Sequence, residues 1–164
     1  MSEQRPDKIN YYLDIAQTVA LRGTCIRRKF GAIIVKNDSI ISTGYAGAPR
    51  GRQNCCDLQY CQREKLNIPR GERYELCRSV HAEANAIIAA SRENMIGSTL
   101  YLACINYPDN TLAPGTSCCQ MCRRMVINAG IETVVVRDTQ TEYRTIKVSD
   151  WIENDDSLDG SFGY

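Results

Sequence analysis

Apolar residues recur at helical spacing over residues 7–22, where Ile9, Leu13, Ala16 and Ala20 share one face and Gly23 supplies a stop. The pattern then changes. "FGAIIVK" and "SIISTG" are two short apolar runs around Asn37-Asp38, which reads as two strands joined by a tight hairpin turn. Residues 45–78 sustain no period and are rich in Gly, Pro, Arg and Cys. A loop of that length is functional or is held by something other than an apolar core. Periodicity returns in "HAEANAIIAASREN", a predicted helix ended by Gly97, followed by the strand "STLYLACI" and the loop "YPDNTLAPGTS". "CCQMCRRMVINAG" predicts a helix closed by Gly130, and "IETVVVRD" a buried strand. From Thr139 the chain is polar, with Trp151 as its one candidate anchor.

The order is therefore α-β-β-loop-α-β-α-β. Its later β-α-β piece implies parallel strands with a right-handed crossover. Helices over a sheet make a layered α/β domain. The 164 residues suffice for one compact domain, with a core over about 7–137 and a tail over 139–164.

Composition narrows the class. No apolar run is long enough to span a bilayer, and "MSEQRPDKIN" has no signal-peptide character, so a cytoplasmic protein without a membrane partner is expected. Net charge is +1, which argues against nucleic acid as a partner. The charge is unevenly spread: residues 1–80 carry 14 Lys/Arg against 8 Asp/Glu, and residues 81–164 carry 6 against 11. A small anion on the first half would suit this, as would scattered solvated charge. Nine cysteines in a reducing compartment point to metal ligation or catalysis rather than disulfides.

The chain's one histidine, His81, stands at the start of a predicted helix with Glu83 two residues on. Cys119 and Cys122 form a C-x-x-C at the start of another. Free N–H groups at helix starts favour thiolates, the form that binds metal. Two sulfurs and one imidazole are three ligands, and three ligands leave zinc a fourth, catalytic position. Water there ionises near neutral pH. Glu83 can point at that position as a proton carrier. A C-x-x-C alone also serves redox pairs and structural zinc. Cys118 adjoins the motif, but its i+3 partner is Met121, so the register of Cys119 with Cys122 is preferred.

Cys25, Cys55, Cys61 and Cys77 lie on or beside the long loop, with Cys56 as a spare. Four thiolates without an open position make a structural zinc site, which would order a polar loop. The alternative is that they pack as small apolar residues. Cys104, mid-strand, belongs to the core.

H-x-E followed by C-x-x-C is the signature of zinc nucleobase deaminases. With "FGAIIV", "GYAGAPRG", "NCC", "GERYELCRSVHAEANAI" and "NAGIETVVV", the chain resembles the cytidine/deoxycytidylate deaminase superfamily over roughly residues 20–137, closest to its dCMP deaminases. The resemblance implies a cytidine deaminase-like α/β/α fold with a mixed sheet of about five strands. It implies zinc on His81, Cys119 and Cys122, and a water that adds to C4 of cytosine. Glu83 would move protons from water to N3 and to the departing ammonia, giving dUMP. The backbone N–H of Ala82 would hold the pyrimidine. A second, structural zinc is implied at Cys25 and Cys55; Cys61 and Cys77 complete it by spacing. Relatives also form homo-oligomers, often hexamers, and some bind dCTP and dTTP as effectors.

Three departures matter. Ala46 stands where the common G-Y-N-G loop has a sugar-contacting Asn. The segment "INYPDNTLAPGTSC" (105–118) is longer than usual, and Cys118 replaces a Pro. A phosphate recogniser is wanted: Arg50 and Arg52 are candidates, with Arg27, Arg28 and Lys29 behind them. The expected function is hydrolytic deamination of a cytosine nucleotide, most simply dCMP. The alternatives are another cytosine nucleotide, a nucleoside, a modified pyrimidine, or a non-catalytic zinc-stabilised binding module. Near-neutral charge disfavours tRNA, and the length leaves no room for a fused reductase.

Overall fold

A computed structural model describes residues 4–159. Residues 160–164 of the expected tail lie outside the described residues. The five strands are β1 (Arg28–Lys36), β2 (Ser39–Tyr45), β3 (Thr99–Asn106), β4 (Thr133–Arg137) and β5 (Tyr143–Lys147). They form one mixed sheet in the order β2-β1-β3-β4-β5. β3 and β4 are parallel, as the β-α-β pattern requires, and every other pair is antiparallel.

Strand residues alternate between two apolar layers, which is how a sheet covered on both faces reads. Ile33, Val35, Tyr101, Ala103 and Val135 face Tyr12, Leu13 and Ala16 of α1 (Lys8–Ala20). Ala32, Ile34, Leu100, Leu102, Val134 and Val136 face the other helices. These include α4 (Ala82–Ile88) and α6 (Gln120–Ala129), the two that carry the predicted chemistry. Asp7 caps α1, accepting from the Asn10 backbone N–H at 2.9 Å. The hairpin turn sits at Asn37 and Asp38, both with positive φ (50° and 63°), the geometry of a type I′ turn.

Two expectations change. The helix expected over residues 81–94 is two pieces, α4 and α5 (Arg92–Met95), because Ser91 starts afresh as an N-cap, accepting from the Asn94 N–H at 3.2 Å. The polar tail holds structure: β5 alternates exposed and half-buried residues at the sheet edge, and α7 (Val148–Glu153) follows. Trp151 does act as an anchor, packing on the α4/α6 side of the core. The long loop carries α2 (Cys55–Leu58), α3 (Gln62–Lys65) and a 3-10 turn over Tyr74–Leu76.

The close seating of α4 on β2 fixes where the site forms. A Cβ at Gly44 would stand 2.4 Å from the Ala82 carbonyl oxygen and 2.4 Å from the Ala86 nitrogen. Only glycine lets the helix lie that near. Gly44→Ala is expected to cost about 1–3 kcal/mol, the range of overpacking strain, and to push the start of α4 outward. Urea unfolding checks the first effect, and unchanged stability would contradict this packing.

Candidate active site

His81 and Cys119 both occupy N-cap positions, of α4 and α6 respectively, with extended backbones (φ −67° and −68°). Neither side chain caps its helix. They turn toward each other instead. His81 Nδ1 lies 3.4 Å from Cys119 Sγ and 3.4 Å from Cys122 Sγ. Among the described residues, these three form the one group of three or more candidate ligands with donor atoms all within 4.8 Å of one another. Zinc bonds of ~2.0 Å to N and ~2.3 Å to S at tetrahedral angles put N and S about 3.5 Å apart. The donor set therefore fits zinc.

Glu83 is buried two residues on, 3% exposed, and interacts with Cys122 and Cys118. Burial raises its carboxyl above the ordinary range, against the attraction of His81. Cys119 is held down to about 4, first by its hydrogen bond with Cys122 and then by His81, while the Cys122 thiol is raised. Burial pulls His81 down, but hydrogen bonds with Cys119 and Cys77 and the charge of Glu83 outweigh it and lift the imidazole to about 10. Both shifts favour a Cys119 thiolate beside a protonated His81. Tyr74 packs edge-on to His81, ring centroids 5.0 Å apart at 76°.

A cleft of about 280 Å³ opens over these groups. His81, Ala82, Glu83 and Cys119 line it, as do Ala46, Asn106 and Ser117. Ala46 offers the cleft only a methyl, because its N–H donates to the Phe30 carbonyl (3.1 Å) and its carbonyl accepts from Thr24 (3.0 Å). Arg27, Arg28, Arg63 and Arg70 stand on the wall. Arg50 and Arg52 do not. Both are exposed, and Arg52 lines a separate depression with Tyr60, Glu75 and Arg78. Lys29 sits over the Tyr107 ring at 5.7 Å. Arg63 and Arg70 had no signal in the sequence, since they lie in the stretch without a period. Arg63 is 4% exposed, donates to the Pro69 and Glu72 carbonyls at 2.7 Å each, and covers Tyr74 at 4.4 Å.

All nine cysteines are free. Cys25, Cys61 and Cys77 line the same cleft, and Cys55 is buried in α2. The four are electrical neighbours: Cys55 is pushed up to about 11 by burial and then by the other three. Their sulfurs are not drawn together as those of Cys119 and Cys122 are. Cys104 and Cys118 are fully buried, as expected for Cys104.

A profile of the cytidine and deoxycytidylate deaminase zinc-binding region matches residues 6–138. A deoxycytidylate deaminase of Mycobacterium phage D29 is 38% identical over 136 residues, covering 80% of this chain and 94% of that protein. One from Schizosaccharomyces pombe is 32% identical over 131 residues, where the match spans 80% of this chain but 37% of the longer relative. Among solved structures, the dCMP deaminase of cyanophage S-TIM5 in complex with dCMP and dUMP is 26% identical, with a TM-score of 0.59 over 95% of both chains.

Loading this donor set must expel the imidazole proton of His81 and the thiol proton of Cys122. Zinc affinity is therefore expected to fall as pH falls, and zinc added to metal-free protein at pH 7 should acidify a weakly buffered solution. Loading without proton release would contradict the charge state described.

Proposed function

This chain belongs to the cytidine and deoxycytidylate deaminase zinc-binding family, and on that premise we propose that it hydrolyses dCMP to dUMP and ammonia. The observation that carries the proposal is Glu83: a buried carboxyl over a three-donor metal group, inside a cleft walled by arginines. A purely structural metal site has no use for that carboxyl. The nucleotide relatives supply the substrate class.

His81, Cys119 and Cys122 would hold the zinc at the floor of the cleft that His81 and Cys119 line. Zinc bound there supplies Lewis acidity that lowers the pKa of a water. Glu83 would take a proton from the attacking water as its oxygen adds to C4 and deliver it to N3; it would then move the proton of the new C4 hydroxyl to the exocyclic amine, which leaves as ammonia while the C4 carbonyl of uracil forms. Burial suits Glu83 to both roles, because it raises the carboxyl above its ordinary range and so makes it a better proton acceptor from water than an exposed carboxylate. Ala82 opens α4, where the first N–H groups have no acceptor within the helix, and so offers a donor to the pyrimidine. Arg27, Arg28 and Arg70 line the cleft and are the proposed partners of a 5′-phosphate.

A second reading is supported by Ala46. With a methyl in the place of a polar side chain, another cytosine nucleotide or a modified pyrimidine would also enter. Cys25, Cys55, Cys61 and Cys77 are further proposed to hold a second, structural zinc. Cys25, Cys61 and Cys77 line one cleft, Cys55 feels the charge of all three, and all four thiols are free, which supports it.

Glu83→Gln is expected to lower ammonia release from dCMP at least ~10²-fold, within the range of general acid–base catalysis, with zinc retained. Full activity in that variant would refute the assignment. Across dCMP, CMP, dCTP, deoxycytidine, cytidine and cytosine, dCMP should have the highest kcat/KM. Elemental analysis should find two zinc ions per chain; one would remove the four-cysteine site.

A further inference from the structure

The segment entering α6 is held by groups from the far edge of the sheet. Asp138 ends the β4 side of the β4–β5 hairpin, and its N–H donates to the Glu142 carbonyl at 2.9 Å. Its Oδ1 accepts the Gly115 backbone N–H at 2.8 Å. Arg144, on β5, donates from Nε to Asp138 Oδ2 at 2.8 Å and from Nη2 to Asp138 Oδ1 at 3.0 Å. The same Nη2 donates to the Thr116 carbonyl. Two residues on, Arg123 Nε donates to the Cys118 carbonyl at 3.1 Å. The carbonyls on either side of Ser117 are thus each fixed by a guanidinium. Ser117 lies between them, 8% exposed, on the wall of the cleft, and Cys119 follows.

We propose that Arg144, braced by Asp138, is a positioning residue for the reaction: it sets the 116–119 backbone that presents Ser117 to the substrate and Cys119 Sγ to the metal. This rests on the reading of Cys119 as a metal ligand. Neither residue touches the cleft. Their action is through the backbone, and the bidentate fork is what makes it directional. A partner at this remove from a metal ligand is typically worth about 10–100-fold in activity or metal affinity. The extended 105–118 loop makes the clamp necessary. Gly115 has φ +75°, a left-handed turn that brings the chain back toward the sheet, and Asp138 receives the chain there.

The test uses the full chain, with Arg144→Gln, Arg144→Lys and Asp138→Asn, and Thr145→Ala as a control on the exposed side of β5. Each is loaded with Co(II), whose thiolate charge-transfer and d–d bands report the Cys119/Cys122 geometry, and assayed with dCMP in its zinc form. Arg144→Gln should shift the cobalt bands and lower kcat/KM about tenfold or more. Arg144→Lys should recover part of both, because it keeps one donor. Asp138→Asn should resemble Arg144→Gln. Thr145→Ala should change neither, even at an equal loss of Tm. Unshifted bands and unchanged kcat/KM in Arg144→Gln overturn the proposal. So does an equal effect in Thr145→Ala, which would mean that hairpin stability alone matters. Should Arg144→Gln not fold, Arg144→Lys and Asp138→Asn carry the same comparison. A shifted spectrum supports the clamp even if no cytosine nucleotide turns over, so failure of the functional reading is told apart from failure of this one.

Discussion

His81 and Cys119 both stand where a Ser, Thr, Asp or Asn would normally fold back to satisfy a free backbone N–H. Neither does so; the two side chains meet across the gap between α4 and α6. Each helix forgoes a cap worth roughly 0.5–2 kcal/mol. The packing of both helices on one face of the sheet offsets that loss, since Ala82, Ala86, Cys122 and Val126 sit in the same buried cluster as Leu100, Leu102, Val134 and Val136. The free N–H groups also remain as local positive potential at both helix starts. That potential favours the thiolate, the same side chain the geometry has aimed at the imidazole. It adds to the hydrogen bond with Cys122 and the pull of His81, which are what chiefly lower the Cys119 thiol.

The polar loop over residues 45–78 raises the opposite problem, because it has little apolar surface of its own to bury. Arg63 is a large part of the answer. Its guanidinium holds the Pro69 and Glu72 carbonyls and lies over Tyr74, and Tyr74 meets His81 edge-on. A buried cation is costly unless its hydrogen bonds are met, and here they are met largely by the loop's own carbonyls. The His81 imidazole is therefore packed from outside by a loop whose carbonyls Arg63 holds. Whatever orders this loop also orients His81.

Much of this was legible in the chain. The helix over 7–22, the Asn37-Asp38 hairpin, the parallel β3–β4 pair and the meeting of His81 with Cys119 and Cys122 all follow from local rules: periodicity, turn residues and helix starts. β5 was not legible, because an edge strand half in water shows only a weak alternation, and Arg144 and Thr145 read as tail. Of the cleft arginines, Arg27 and Arg28 stand among the sequence candidates, and the other two escape notice for a similar reason. Arg50 and Arg52 sit in a Gly-Pro-Arg stretch that suggests an anion loop, whereas Arg63 and Arg70 reach the cleft through tertiary folding that leaves no period in the sequence. Ser91 divided a helix that hydrophobic spacing alone would have continued.

The net charge of the whole chain, +1, conceals a strong local field. The cleft wall carries Arg27, Arg28, Arg63 and Arg70, and its one carboxyl, Glu83, is itself raised toward the neutral form. Arg27 is partly engaged by Glu64 at 2.9 Å, an exposed pair that water screens heavily. The remaining positive potential is focused in a concave, partly desolvated space, where it draws anions more strongly than the same charges would on a flat surface. Such a field favours an anionic ligand over a neutral one of the same shape. Ala46 adds only a methyl to that wall, so its polar character comes from the arginines with Asn106 and Ser117.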